Sequence, residues 1–525
     1  MKITNPILPG MHPDASACQV GSDYYIATST FEWWPGITIY HSRDLLNWTL
    51  AARPVTMTFY GVESSGGLWA PHLSYADGRF WLCITDVHTR TGFKDTINYI
   101  QTSERIDGPW SEPVYINSSG FDPSLFHDDD GRKYFLNMLW DYRPNQSPFS
   151  GIAMQELDPQ SMRLTGEKRV IFAVTDLGVA EGPMLLKKDG WYYLLTAAGG
   201  TGYKHAAVVA RAKSVWGPFE LSPYHPLLTS EPYPDSPLQK SGHCSFLQKD
   251  GEWFVTHICA RPLTARGCCP LGRETALQKI EWVDDWPRLS GGGKEPRLQI
   301  AAPRDSTARQ SRDNSRRTDF DASALPDWFY FLRGPLGDAM SLSERPGWLR
   351  LYGRESLSSL HRQSLLATRW QSTCFRAETK MQFRPSTFNQ MAGLVCLYNT
   401  ENWMYLYVCG GEDGSALHVL TCDNKKLAYA ASDVSVPNDA PLFLAVEVDG
   451  SLLRFLYSTD GTRWNAIGGE LPADHLSDDY IEKHGLVFTG AFVAVCCQDL
   501  EERTAYADFD YFLYQEKEGK ECLVK

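Results

Sequence analysis

Short runs of alternating apolar and polar residues fill the first half of the chain, and each is broken by a glycine turn. An aromatic residue follows each turn glycine by three positions: Gly21–Tyr24, Gly78–Trp81, Gly131–Tyr134, Gly190–Tyr193 and Gly251–Phe254. Before each glycine stands a run such as "DASACQV", "APHLSYAD" or "EGPMLLKKD"; after it stands another, such as "DYYIATST", "RFWLCITD" or "WYYLLTAAG". Strand, glycine turn and aromatic strand is the pattern of a β-hairpin. Hairpins repeated at near-equal spacing predict a five-bladed β-propeller. No long helical periodicity interrupts them, which disfavours a βα barrel.

A polar, charged stretch, "AAPRDSTARQSRDNSRRT", then interrupts the pattern. Beyond it, segments such as "FRAETKMQF", "MAGLVCLY", "LFLAVEV" and "LLRFLYS" resume the alternation, with Asp-Gly turns at 449–450 and 460–461. Many short strands without helices predict a β-sandwich. The expected organisation is all-β: a propeller over 1–300, a linker over 301–319 and a sandwich over 320–525.

Composition narrows the partners. The chain has 525 residues and a formal net charge of −13, which argues against nucleic acid or an anionic membrane as ligand. The longest apolar run, "GLVFTGAFVAVCC", is too short to span a bilayer as a helix. The start, "MKITNPILPGMHPD", lacks the continuous apolar stretch of a secretory leader, so a cytoplasmic location is expected. Thirteen scattered Cys with no C-x-x-C pair read as buried reduced thiols.

In a propeller the innermost strand of each blade lies beside the central axis, so residues at the starts of those strands converge at one mouth. Counting back from the turn glycines gives Asp14, Trp69, Asp122, Glu181 and the pair Gly242-His243. An isolated acid of this kind is a turn starter or an ion-pair partner. Three at corresponding positions point to use. Calcium binding takes six to eight oxygens, and no D-x-D-x-D-G loop is present. Glycoside hydrolysis instead needs one protonated acid and one carboxylate. A negative neighbour at about 6 Å and an effective dielectric near 20 costs roughly 2.8 kcal/mol, about two pKa units, and would lift Glu181 toward 6. Base, acid and a charge that tunes the acid account for three carboxylates.

The run from Asn5 to Trp48, with "GGLWAPHLSY", "GFDPSLFHDDDG", "AEGPMLL", "SGHCSFLQ" and "LGRETALQ", resembles β-xylosidases of glycoside hydrolase family 43, and "SLSERPGWLRLYGRESLSSLHRQSLLATRWQ" resembles that family's C-terminal, concanavalin-like domain. The resemblance implies an inverting, exo-acting hydrolase that frees xylose from the non-reducing end of β-1,4-xylo-oligosaccharides. It implies Asp14 as general base, Glu181 as general acid and Asp122 as the group that raises the pKa of the acid. Arg273 would bind sugar hydroxyls, with a structural ion pair as its alternative. Phe31, Trp69 and Trp140 would wall the innermost subsite, with core packing as theirs. His243 would lie near the axis, where some relatives hold a calcium ion, with a satisfied core histidine as its alternative; no cofactor is otherwise required. His12 and Ala15 replace the family's usual Asn and Pro around Asp14, which bears on substrate fit. Phe492 would be the aromatic tip that the sandwich lends to the site, with burial inside the sandwich as its alternative. Relatives assemble as dimers or tetramers, so a homo-oligomer is expected. α-L-Arabinofuranosidase activity is the near alternative, and a non-catalytic sugar-binding propeller the remote one.

Overall fold

In the computed structural model, residues 1–517 are described except 91–92, 174, 305, 307–313, 412–413 and 439. Five antiparallel sheets follow one another along the first part of the chain. Their first strands, leaving aside the two-residue Gly67–Leu68 of the second sheet, are Ser16–Val20, His72–Ala76, Ser124–His127, Glu181–Lys188 and Gln239–Lys249. Each pairs with the next strand across the glycine turn read from the sequence, as in Ser16↔Ala27 and Ser124↔Leu136. These five first strands touch one another in ring order, the last returning to the first. The result is a closed, propeller-type ring around one axis. The ring is tied shut by Lys2–Thr4 pairing with Gln299–Ala301.

Burial explains the sequence patterns. Trp191–Ala198, "WYYLLTAA", lies between two sheets and is buried along most of its length, so alternation fades there. Cys374–Phe383, "CFRAETKMQF", has one face in a core and keeps a period of two.

The C-terminal part is a sandwich of an eight-stranded and a six-stranded sheet. Its core includes Leu349, Phe375, Leu394, Leu444, Phe455 and Phe512, all fully buried. Pairing into this sandwich begins at Arg316–Thr318, which runs against Phe512–Tyr514, rather than at 320. Residues 305 and 307–313 of the expected linker, and 518–525 of the expected sandwich, lie outside the described residues.

The two parts share a core. One apolar cluster holds Phe31, Trp33, Trp69 and Phe121 of the ring with Tyr330, Leu365, Val395 and Phe492 of the sandwich. Phe331–Leu332 also pairs back onto Trp33–Trp34. Cys83, Cys259, Cys396 and Cys496 are among the free, buried cysteines. No helix among the described residues is long and apolar enough to cross a membrane.

Candidate active site

The three acids come from the first, third and fourth sheets and line one cavity of about 150 Å³. Local backbone geometry puts them there. Asp14, Asp122 and His243 each sit two residues before the regular part of an inner strand, with φ of 59°, 55° and 51°. Left-handed backbone is costly for residues other than glycine and gathers where a side chain must be aimed. In the fourth sheet the left-handed residue is Gly182, with φ 56°, and Glu181 precedes it. Glu181 is thus one residue out of phase with Asp14 and Asp122 and leaves the backbone at a different point of the repeat. Gly182 cannot carry a side chain, because a Cβ would lie 2.9 Å from His243 Nε2. Its N–H donates to Asp122 Oδ2 at 2.9 Å, joining two of the acidic positions.

Asp14 is held from three sides. The Ser29 hydroxyl donates to Oδ2. Arg273 Nη1 donates to Oδ1 at 3.2 Å, and His243 Nδ1 lies 3.5 Å from the same oxygen. Arg273 is itself buried, with its guanidinium over the rings of Phe31 and Phe488.

Burial is the largest cause that pushes Glu181 up to about 7; Arg273 and Lys94 oppose the rise and the charge of Asp14 adds to it. The raised value expected for the acid is present, but loss of water, more than a charged neighbour, is its main source. Asp122 is raised well above the usual carboxylate range, first by burial and then by the charges of Glu181 and Asp14. The negative charge that acts on Glu181 is that of Asp14, and the repulsion between Glu181 and Asp122 falls on Asp122, the reverse of the tuning expected.

Phe31, Trp69, Trp140, His243 and Arg273 all line the cavity. The aromatic walls meet edge to face, with ring centroids 5.0 Å apart for Trp69–Phe121 and 5.2 Å for Trp140–Phe149. Phe492 does not reach it. That ring is fully buried at the start of the strand Phe492–Asp499 and stacks on Trp33 at 3.7 Å.

Phe488 takes the position expected of Phe492. It lies 5.3 Å from Trp69 and 5.9 Å from Phe31. Its carbonyl accepts from Arg273 Nη2 at 3.3 Å, and its N–H donates to Ser65 Oγ at 3.0 Å. Gly272 makes this approach feasible, since a Cβ there would stand 2.1 Å from the Thr489 carbonyl oxygen. That glycine, next to Arg273, was the available signal. Lys94, Phe121, Phe149 and His205 also line the cavity and carried no sequence pattern that singled them out.

His12 serves the domain contact rather than the pocket. Its Nε2 lies 2.7 Å from the Tyr40 hydroxyl and accepts from Arg369 of the sandwich. The surroundings of His243 suit calcium poorly: it faces one carboxylate, Asp14, and the Arg273 guanidinium, and burial holds its pKa below the usual imidazole value. A second acidic group, Cys269, Asp478 and Asp479, has its carboxylates bound to the Lys240 ammonium at 2.7 and 2.8 Å.

Residues 3–287 match the family model for glycosyl hydrolases family 43, and residues 317–515 match the β-xylosidase C-terminal concanavalin A-like domain. A β-xylosidase of Bacillus subtilis (strain 168) is 46% identical, with 98% of this chain and 100% of that protein covered. Xylosidase/arabinosidase 43B of Humicola insolens is 45% identical, with 98% of each covered. The crystal structure of xylan β-1,4-xylosidase from Bacillus halodurans C-125 superposes with a TM-score of 0.95 at 45% identity, covering 98% of this chain and 100% of that one.

Proposed function

The chain belongs to glycosyl hydrolases family 43, and from that premise we propose that it is a β-xylosidase releasing xylose from the non-reducing end of β-1,4-xylo-oligosaccharides with inversion at the anomeric carbon. The observation that carries the catalytic assignment is the meeting of Asp14, Asp122 and Glu181 in one aromatic-walled cavity. Asp14, fixed by Ser29 and Arg273, takes the proton of a water as that water attacks the anomeric carbon. Glu181, which burial keeps protonated toward neutral pH, gives its proton to the departing glycosidic oxygen. The bond from the anomeric carbon to that oxygen breaks as the bond to water forms. Asp122 accepts from Gly182 N–H and so orients the turn that carries the acid.

Arg273 is assigned to sugar hydroxyls. Its Nε finds no acceptor among the described residues, which supports that role. Phe31, Trp69, Trp140 and Phe488 present rings to the C–H faces of one sugar. A cavity of this size takes a chain end and not a threaded polymer, which supports exo action on short oligomers, the form a cell imports to its cytoplasm. No cofactor enters these steps. Homo-oligomerisation belongs to the same proposal, and sedimentation velocity tests it.

Proton NMR of the first product formed from an aryl β-xyloside tests the mechanism. α-Xylose appearing first is the expected result; β-xylose first would sink inversion, and no turnover would sink hydrolysis. The arabinofuranosidase reading is favoured by one observation, the full-length likeness to a protein named xylosidase/arabinosidase. Rates on aryl xyloside and aryl arabinofuranoside, measured side by side, divide the two.

A further inference from the structure

Ser65 stands just before the second sheet, fully buried and with left-handed backbone, φ 61°. Backbone of that kind persists where the surroundings over-determine it. Every polar group of Ser65 is engaged. Its N–H donates to Glu32 Oε2 at 2.9 Å, and its carbonyl accepts from Trp69 Nε1 at 2.9 Å. Its hydroxyl donates to the Leu486 carbonyl at 3.2 Å and accepts from Phe488 N–H at 3.0 Å. Two aromatic side chains of the catalytic cavity, Trp69 and Phe488, are therefore bonded to one residue. They meet edge to face, 5.3 Å apart at 87°.

Glu32 supports Ser65 from behind. It is 1% exposed and follows Phe31, another wall of the cavity. Arg333 donates its backbone N–H to the Glu32 carbonyl at 2.8 Å and its Nε to the Val62 carbonyl at 2.6 Å. Its charge opposes the rise that burial imposes on the Glu32 carboxyl. Phe488 itself lies between the short helix Asp478–Ile481 and the strand Phe492–Asp499, outside any ladder. Its two backbone hydrogen bonds go to Ser65 and to Arg273. Arg273 is assigned to the sugar, so Ser65 is the tie that does not depend on substrate.

We propose that Ser65 is a positioning residue for the hydrolysis: its hydroxyl sets the place of Phe488 against a Trp69 held by its carbonyl, and so fixes how closely the cavity fits a pentose. The inference deepens the hydrolase assignment above and rests on it. Ser65 touches no substrate; it acts through the two rings, and through Phe488 alone where the hydroxyl is concerned.

Ser65→Ala removes the hydroxyl and keeps the N–H and the carbonyl. The measurements are KM and kcat on xylobiose and Kd for xylose by calorimetry, in the parent, Ser65→Ala, Phe488→Ala and the double variant, with melting curves to show folding. Ser65→Ala should raise KM and Kd about fivefold or more while kcat stays within about twofold. In the Phe488→Ala background the same change should add nothing. Unchanged KM and Kd in folded Ser65→Ala overturn the proposal, as does a full further loss in the Phe488→Ala background. Ser65→Gly, which suits a left-handed φ, carries the same expectation and stands in if Ser65→Ala does not fold. A parent that binds xylose without turning over xylobiose overturns the hydrolase assignment alone, and the Kd values then decide on Ser65. A parent that does neither overturns both.

Discussion

Glu181 carries its proton because the folded chain removes water from it, and its pKa of about 7 sets the pH behaviour. A general acid works only while protonated. The rate on xylobiose should therefore hold below about 7 and fall as pH rises through that value. Glu181→Gln should lose about 10²–10⁴-fold on xylobiose while sparing aryl xylosides with good leaving groups, which need little protonation. Equal losses on both substrates would remove Glu181 from the role. The same shift bears on stability. The folded value lies above the ordinary 4.5, so the native state gains from holding this proton; the gain is complete below the unfolded value and is lost as pH passes the folded one. Glu181→Gln should thus raise the melting temperature at pH 8 relative to the parent more than it does at pH 4.

Among the elements, the segment 482–491 decides the roof of the pocket. It runs from the sandwich onto the ring, where Gly490 passes close to the Leu271 carbonyl and Thr489 close to Gly272, approaches that a Cβ on either glycine would block. Phe488 lies within this crossing, whereas Phe492 begins a strand paired on both sides, with Arg369 and with Leu397. Phe488→Ala should raise KM for xylobiose about tenfold with little change in melting temperature. Phe492→Ala should leave KM alone and cost about 3–5 kcal/mol in denaturant unfolding, the usual loss for a fully buried ring. The reverse pattern would return Phe492 to the site. "GLVFTGAFVAV" offers both phenylalanines in one apolar run, and periodicity could not separate them, because the choice depends on where pairing starts.

For the whole molecule, ring and sandwich are joined by buried charge as well as by apolar surface. Lys240, 2% exposed and three residues before His243, bonds Asp478 and Asp479 of the sandwich, and Asp479 also accepts from Cys269 N–H at 3.1 Å. Removing one member of such a group leaves uncompensated charge away from water. Lys240→Met should cost about 3–5 kcal/mol in urea unfolding, and adding Asp478→Asn should recover part of it. A loss well under 1 kcal/mol would show that water reaches the acids. This link also anchors the segment that places Phe488, so the same variant should raise KM.

The repeat of glycine and aromatic positions was enough to determine the sheets, their order and the convergence of Asp14, Asp122 and Glu181, because hairpin turns are local and strands that start alike point alike. Arg273, Phe31, Trp69 and Trp140 were legible through their motifs. What only the tertiary structure decided lay between parts distant in sequence. The phase offset of Glu181 came from a left-handed Gly182 packed on His243, and the choice of Phe488 over Phe492 from strand register. The bonding of His12 to Arg369 and the dominance of burial over repulsion at Glu181 came from the closing of ring on sandwich. Contacts of that kind depend on which surfaces exclude water together, and no local pattern of residues records it.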